Sequence, residues 1–433
     1  MIKNLYDILK ERGFIEQSTN ENQLRQILSK RKITFYIGFD PTASSLHIGG
    51  LALLMAMAWA QKQGHRPIFL AGGGTGLVGD PSGKDKTRPL MSRQKTKENV
   101  QSIKKQVSRI LDFNKPPHLT GINAKSDEQS IPIRCGGKNR ALLLNNADWL
   151  TKLNYIEFLR DFGTQFSVNR LLTFESVKNR LKTGLSFLEF NYQLLQAYDF
   201  WHLFKKYNCL VQMGGSDQWG NIVAGVELIR RLEKKEAYGI TFKLIKASTG
   251  KKMGKSEKGA IWLDPRLTPP YDYYQYWINT DDKDVKKFLL IFTFLPLEQI
   301  KKLGQLKGSQ IRQAKEILAS EATKILHGEE AAKKARNTSR GLFGKEKSQA
   351  GSAPTVLLSK AELKGGILIS KLFNIAGLSN SVSEARRLII QGGGYLNEKR
   401  LVNPNLLITE KDFRDGELLL RSGKKKYCRV KLQ

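Results

Sequence analysis

Two short stretches of the chain carry groups suited to phosphate. His47-Ile-Gly-Gly50 follows Phe39-Asp-Pro-Thr-Ala-Ser-Ser-Leu46 and opens an apolar run. A helix starting there offers unpaired N–H groups and partial positive charge, both favourable to an anion. The imidazole adds a hydrogen bond, and Gly49 lets a ligand approach the backbone. Lys252-Met-Gly-Lys-Ser256 lies in a Gly- and Ser-bearing loop. Two lysines on such a loop form a movable cation, matched to a pyrophosphate leaving group whose charge grows in the transition state. Each stretch also has a plain reading: an exposed His beside a turn, and a solvated basic loop.

Other candidates are polar groups on regular elements. Tyr192, Gln196 and Asp199 fall at i, i+4 and i+7 of a helical stretch, so they share a face among Leu, Ala and Phe. They line a pocket or form a partly exposed stripe. Gly214-Gly-Ser-Asp-Gln-Trp-Gly220 follows a short strand, where substrate loops sit. Gly74-Thr-Gly76-Leu-Val-Gly79 satisfies G-x-G-x-x-G, so a dinucleotide site is a rival, as is a tight backbone turn. Gly79-Asp-Pro-Ser-Gly-Lys84 fails as a P-loop, because Val78 stands where a Gly is needed and Asp85 where a Ser or Thr is needed.

These groups need a scaffold. Residues 32–39 and 66–71 read as buried strands around an apolar helix from about residue 47, a βαβ unit that implies a parallel sheet. Residues 92–113 read as a charged helix, 114–145 as an irregular surface insertion and 151–205 as mostly helical. A strand at 210–213 precedes a helix at about 220–232, and 270–335 reads as helical and basic. Residues 336–360 lack apolar periodicity and read as a linker. Beyond it, helices are expected at 369–376 and 383–391, the second capped by Ser383 and bearing Arg386 and Arg387. Residues 392–397 read as a turn into a strand, and 421–431 as a final basic strand.

The bulk numbers narrow the class. The 433 residues carry 72 Lys and Arg against 40 Asp and Glu, a formal net charge of +32, which favours a polyanionic partner. The three cysteines, Cys135, Cys209 and Cys428, form neither a disulfide framework nor a zinc pattern. The five histidines are scattered, so no metal site is expected. The N-terminus reads as an amphipathic helix rather than a secretory signal, and residues 51–60 are too short to span a bilayer.

As a set, Tyr36-Ile-Gly-Phe-Asp-Pro-Thr-Ala43, Gly79-Asp-Pro-Ser-Gly-Lys84, Leu195-Gln-Ala-Tyr-Asp-Phe200 and Gly214-Gly-Ser-Asp-Gln-Trp-Gly-Asn221 resemble the bacterial-type tyrosyl-tRNA synthetase family over nearly the whole chain. The His47 and Lys252 stretches are similar to the two signatures of class I synthetases. The resemblance implies an α/β fold: a Rossmann-like parallel-sheet catalytic domain over 1–245 with a helical insertion around 115–185. It further implies a signature loop and helical anticodon-binding domain over 246–335, a linker over 336–365, and a small α+β RNA-binding module, like one in a ribosomal protein, over 366–433.

The same resemblance implies roles. Tyr36 and Asp199 would bind the tyrosine phenol; Asp80, Tyr192 and Gln196 its ammonium; Gln218 would lie near its carboxylate. Thr42, His47, Lys84, Lys252 and Lys255 would act on the ATP phosphates. Gly49, Gly50, Gly215, Asp217 (at the ribose), Lys255 and Ser256 would contact ATP. Arg386, Arg387, Lys424, Lys425 and Lys426 would contact RNA. Expected partners are L-tyrosine, ATP with Mg2+, and tRNA(Tyr), in a cytoplasmic homodimer with no tightly bound cofactor and no membrane association. Departures are Gly50 for the second His of its signature, Ile37 where the family often has Cys, and Ala147 where an aromatic is common. A tryptophan-specific synthetase, a dinucleotide-dependent dehydrogenase and a non-enzymatic RNA-binding protein remain the alternatives. The first should lack the Tyr36/Asp199 pairing, the second gives the lysine loop no role, and the third leaves the pocket residues unexplained.

Overall fold

The computed structural model describes residues 3–82, 91–113, 140–248, 253, 255–256, 259–343, 354–363, 365–413, 415–423 and 426–433. The chain forms two compact units, Met1–Ala332 and Lys333–Gln433.

The first unit is built on a six-stranded sheet in the order β1-β6-β5-β2-β3-β4. The strands are β1 (Ile15–Ser18), β2 (Thr34–Phe39), β3 (Arg66–Ala71), β4 (Leu142–Asn145), β5 (Cys209–Gly215) and β6 (Tyr238–Phe242). All neighbours are parallel except β1, which runs antiparallel to β6. β6 is buried throughout and β3 nearly so, as expected where layers cover both faces of a parallel sheet. The chain leaves β2 in one direction for β3 and β4, then returns on the other side of β2 for β5 and β6. The switch point between β2 and β5 opens a crevice at their carboxyl ends.

The Ile48–Lys62 helix is apolar on nearly every side, because it lies between the sheet and a further helical layer that includes Val285–Phe292. Arg12 joins these layers. Its buried guanidinium donates to the carbonyls of Leu290, Thr293 and Leu295 at 2.9, 3.1 and 2.5 Å, and lies 4.0 Å from the Trp59 ring centre. It thereby satisfies carbonyls at the end of the Val285–Phe292 helix. The helices Pro270–Ile278, Leu297–Leu303, Ile311–His327 and Glu329–Phe343 bear out the helical reading of 270–335.

Four expectations change. Residues 142–145, read as irregular, form β4, pairing in parallel with β3 from Ile68↔Leu142 to Ala71↔Asn145; residues 114–139 lie outside the described residues. The stretch read as a linker begins inside the Glu329–Phe343 helix and includes β9 (Thr355–Leu358). The short apolar run Thr355–Leu358 lacks a long periodic pattern, yet a four-residue strand needs only a partner, here the last strand of its unit. The second C-terminal helix is Val382–Ile390, capped by Ser381 rather than Ser383: the Ser381 hydroxyl accepts from the Glu384 N–H, satisfying a free donor of the first turn. The final basic strand is a hairpin of β14 (Glu417–Ser422) and β15 (Lys426–Leu432), with Gly423 at φ +61° between them.

Between these lie the small pair β7 (Lys255–Ser256) and β8 (Gly259–Ala260) in the first unit, and β10 (Ile367–Leu368), β11 (Gly394–Leu396), β12 (Lys399–Arg400) and β13 (Leu407–Ile408) in the second. In the second unit, the sheet β12-β11-β14-β15-β9 turns Leu418, Leu420, Cys428 and Val430 toward Leu372 and Phe373 of the Ile369–Ile375 helix and Ile389 of the Val382–Ile390 helix. Among the described residues, no helix is long and apolar enough to cross a membrane, and no cluster of His, Cys, Asp and Glu could hold a metal ion.

Candidate active site

A cavity of about 380 Å³ occupies the switch point. Among its walls are Tyr36, Thr42, His47, Gly49, Gly50, Asp80, Tyr192, Gln196, Asp199, Gly215, Asp217 and Gln218. Residues from β2, the Ile48–Lys62 and Phe187–Tyr207 helices, and the turn after β5 thus meet in one place.

The deep end is a wired set of polar side chains. Tyr36 projects from β2 against the Phe200 ring, with its hydroxyl buried and without a hydrogen-bond partner among the described residues. Burial, and then the charge of Asp199, pushes the Tyr36 phenol well above its ordinary pKa. Asp199 is buried too. It accepts from Asn146 Nδ2 at 2.8 Å on one oxygen and from Trp149 Nε1 at 2.7 Å on the other. Burial raises the Asp199 pKa to about 7, the two donors oppose that rise, and Asp40 adds to it.

Asn146 is saturated. Its amide nitrogen also meets Thr75 Oγ1 at 3.0 Å, while its oxygen accepts from the Gly74 N–H at 2.7 Å. Thr75 in turn donates to Asp40 Oδ1 at 2.9 Å, and Tyr192 donates to Asp40 Oδ2 at 3.0 Å.

A second network lies beside the first. Asp80 accepts from the Ser82 N–H at 2.9 Å and from Gln218 Nε2 at 2.7 Å, and burial raises its pKa. Asn221 Nδ2 bridges Gln196 Oε1 at 3.0 Å and Gln218 Oε1 at 3.1 Å. Carboxylates and amide oxygens therefore dominate this wall, an arrangement that suits an ammonium group.

The shallow end is backbone. His47 caps the Ile48–Lys62 helix, its Nδ1 accepting from the Gly49 N–H at 2.9 Å. A Cβ on Gly49 would stand 2.6 Å from His47 Cε1, whereas one on Gly50 would meet nothing nearer than 3.9 Å among the described residues. The segment following β8 pairs back onto this turn: His47 bridges Trp262, and the Ile48 N–H donates to the Ile261 carbonyl at 3.0 Å. β8 in turn pairs antiparallel with β7, Lys255↔Ala260 and Ser256↔Gly259. Lys84 and Lys252 lie outside the described residues; Lys255 and Ser256 form β7, of which the backbone is described.

The glycine turn after β3 serves the site's own side chains. A Cβ on Gly72 would lie 2.1 Å from Asp40 Oδ1, and one on Gly73 2.1 Å from Asn145 Oδ1. The turn continues into a single 3-10 turn, Thr75–Leu77, and not into the helix that a dinucleotide fingerprint requires. Sequence reasoning missed Asp40, Thr75, Asn146, Trp149 and Asn221 as functional residues. For Asn146 and Trp149 the signal was Asn145-Asn-Ala-Asp-Trp149, polar groups packed into a short stretch before a helical segment.

In the second unit, Arg386 and Arg387 are exposed on the Val382–Ile390 helix and Lys426 is exposed at the start of β15. Lys424 and Lys425 lie outside the described residues.

Comparison with known proteins gives two family matches: tRNA synthetases class I (W and Y) over residues 28–344, and the tyrosine–tRNA ligase SYY-like C-terminal domain over 348–430. The chain is 49% identical over 429 residues to a tyrosine–tRNA ligase of Clostridium botulinum, covering 99% of each. It is 49% identical over 433 residues to that of Clostridium tetani, covering 100% of each. A C-terminally truncated mitochondrial tyrosyl-tRNA synthetase of Aspergillus nidulans superposes with a TM-score of 0.68 at 32% identity, over 79% of this chain and 94% of that one.

Proposed function

The chain belongs to the class I tRNA synthetases of the tryptophan and tyrosine group, and we infer from its pocket how it performs tyrosine–tRNA ligation. It activates L-tyrosine with ATP, releasing pyrophosphate, and transfers the tyrosyl group to the 3′ end of tRNA(Tyr). The observation that carries the amino-acid assignment is the buried Tyr36 hydroxyl, without a partner among the described residues, beside the buried Asp199 carboxylate. A phenolic hydroxyl donates to Asp199 and accepts from Tyr36, whereas a phenyl ring leaves the buried Tyr36 hydroxyl unpaired, at a cost of about 1–3 kcal/mol, and leaves Asp199 to Asn146 and Trp149.

In this reading Tyr192, Asp80 and Gln196 hold the ammonium, and Gln218 lies by the carboxylate. The carboxylate oxygen forms a bond to the α-phosphorus as the bond to pyrophosphate breaks. The nucleophile is ionised at neutral pH, so the step needs alignment and positive charge where the leaving group develops its own. Thr42, His47 and the N-terminus of the Ile48–Lys62 helix supply fixed donors; Lys84, Lys252 and Lys255 supply the cations. Gly49, Gly50, Gly215, Asp217 and Ser256 bound the nucleotide, and Mg2+ enters with ATP. The tRNA terminal hydroxyl then attacks the tyrosyl carbonyl and AMP leaves. Arg386, Arg387 and Lys424–Lys426 engage the RNA phosphates. Amino-acid-dependent pyrophosphate exchange tests the assignment: tyrosine should support exchange, and equal or faster exchange with tryptophan would refute it.

We also propose a homodimer in the cytoplasm. Tyr155, Ile156, Val168, Leu181 and Phe187 are exposed large apolar residues of one helical region, with Ile156 and Phe187 at 70% and 71%. A concentration of this kind marks an association surface. Sedimentation should give twice the chain mass, and Ile156→Asp with Phe187→Asp should reduce it to one. Free, buried Cys209 and Cys428 suit a reducing compartment.

A further inference from the structure

Asp199 is oriented by Trp149, and Trp149 is itself held. The indole belongs to the short Ala147–Leu150 turn after β4, none of whose residues is fully buried. Its N–H donates to Asp199 Oδ1 at 2.7 Å, and its ring stacks on the imidazole of His202, with centroids 4.3 Å apart and planes 16° from parallel. His202 follows Asp199 by three residues on the Phe187–Tyr207 helix, so the two side chains share one face. One helix therefore grips a single indole twice: a carboxylate takes its N–H and an imidazole covers its ring.

We propose that His202 is a positioning residue for phenol recognition: its stack on Trp149 keeps the indole N–H on Asp199, and so keeps the carboxylate aimed at the substrate hydroxyl. Burial and the nearby Lys206 lower the imidazole pKa, which favours the uncharged ring for stacking beside the carboxylate. Without the stack, the indole can swing on its short turn. Asp199 then loses the Trp149 donor, while Asn146 remains. The loss falls on a substrate that uses Asp199, and not on one that lacks a hydroxyl.

The proposal rests on the tyrosine-activating reading, and the test separates the two. Pyrophosphate exchange is measured with tyrosine and with phenylalanine on the full chain, wild type, His202→Ala and His202→Phe. In His202→Ala, kcat/KM for tyrosine should fall about three- to tenfold, the range expected of one aromatic contact. The fall should come through KM for tyrosine, with KM for ATP and the phenylalanine rate unchanged, so that the tyrosine-to-phenylalanine ratio shrinks. His202→Phe should restore the ratio by restoring the ring face. Should the Ala variant fold poorly, His202→Leu, which keeps bulk without a ring face, takes its place with the same expectation. An unchanged ratio in folded Ala or Leu protein, or equal losses for both amino acids, overturns the proposal. Absence of tyrosine-dependent exchange in the wild type refutes the underlying reading instead.

Discussion

The two ends of the cavity are made of different material. At the deep end, side chains of Asp40 just after β2, the turns after β3 and β4, and the Phe187–Tyr207 helix fix one another through hydrogen bonds of 2.7–3.0 Å. At the shallow end, a helix N-terminus, two glycines and one imidazole leave the backbone accessible. The difference follows from what each end must do. Telling a phenol from a phenyl depends on polar groups that cannot relax when left unpaired. Holding a polyphosphate depends on accessible N–H groups and space.

The comparison breaks most readily at Asp199. Asp199→Asn keeps the shape but turns an amide nitrogen toward either Asn146 Nδ2 or Trp149 Nε1, setting donor against donor. The expected loss in kcat/KM for tyrosine is about 3–4 kcal/mol, roughly 100- to 1000-fold, with KM for ATP little changed. A loss shared equally by both substrates would mean that the deep end is not separately wired.

Asn146→Ala tests the wiring itself. The Asp199 pKa of about 7 lies above its ordinary 3.8. The folded state thus binds more protons than the unfolded chain between those values, and Asp199 makes stability fall as pH rises from about 4 to about 7. The ionised form is the acceptor, so kcat/KM for tyrosine should decline as pH drops below about 7. Asn146 donates to the charged form and holds the pKa down. Its loss should move that limb to higher pH and lower kcat/KM at pH 7 about tenfold, with partial recovery at higher pH. An unmoved limb would remove Asp199 as its source. Tyr36→Phe is the next smaller change: the tyrosine-to-phenylalanine ratio should shrink by about 1–1.5 kcal/mol, roughly fivefold to tenfold.

Sequence spacing made part of this legible. The β2–helix–β3 unit follows from aromatic and β-branched strands around an apolar run, and helical periodicity put Tyr192, Gln196 and Asp199 on one face. Asn146 and Trp149 stayed hidden for a physical reason. β4 is only four residues long, follows a polar, proline- and glycine-bearing stretch, and earns its place by pairing with β3 rather than by any pattern of its own. Once that strand is read as irregular, nothing places Asn146 beside Asp199, 53 residues away. The hairpin at Gly423 was hidden likewise, because basic residues on both strands mask the turn between them.

The smallest effects test the shallow end, where two adjacent glycines should behave differently. In Gly49→Ala the new Cβ would lie 2.6 Å from His47 Cε1 and 2.8 Å from Nδ1, so the imidazole must leave its cap. Losing such a cap costs about 1 kcal/mol, and KM for ATP should rise about fivefold while KM for tyrosine holds. In Gly50→Ala the nearest atoms among the described residues are Leu46 Cβ at 3.9 Å and Phe39 Cε1 at 4.0 Å, which is ordinary contact. Gly50 sits in the first turn of a helix, so Ala should stabilise the protein by about 0.4–1 kcal/mol, chiefly by restricting the unfolded chain. KM for ATP should then stay within about twofold. That outcome would mean that the shallow end works through the shape of the backbone around His47, and that the bare position 50 is dispensable to it. A rise in KM for ATP matching that of Gly49→Ala would mean the reverse: the nucleotide lies directly on the Gly50 backbone, and the missing side chain is part of the site.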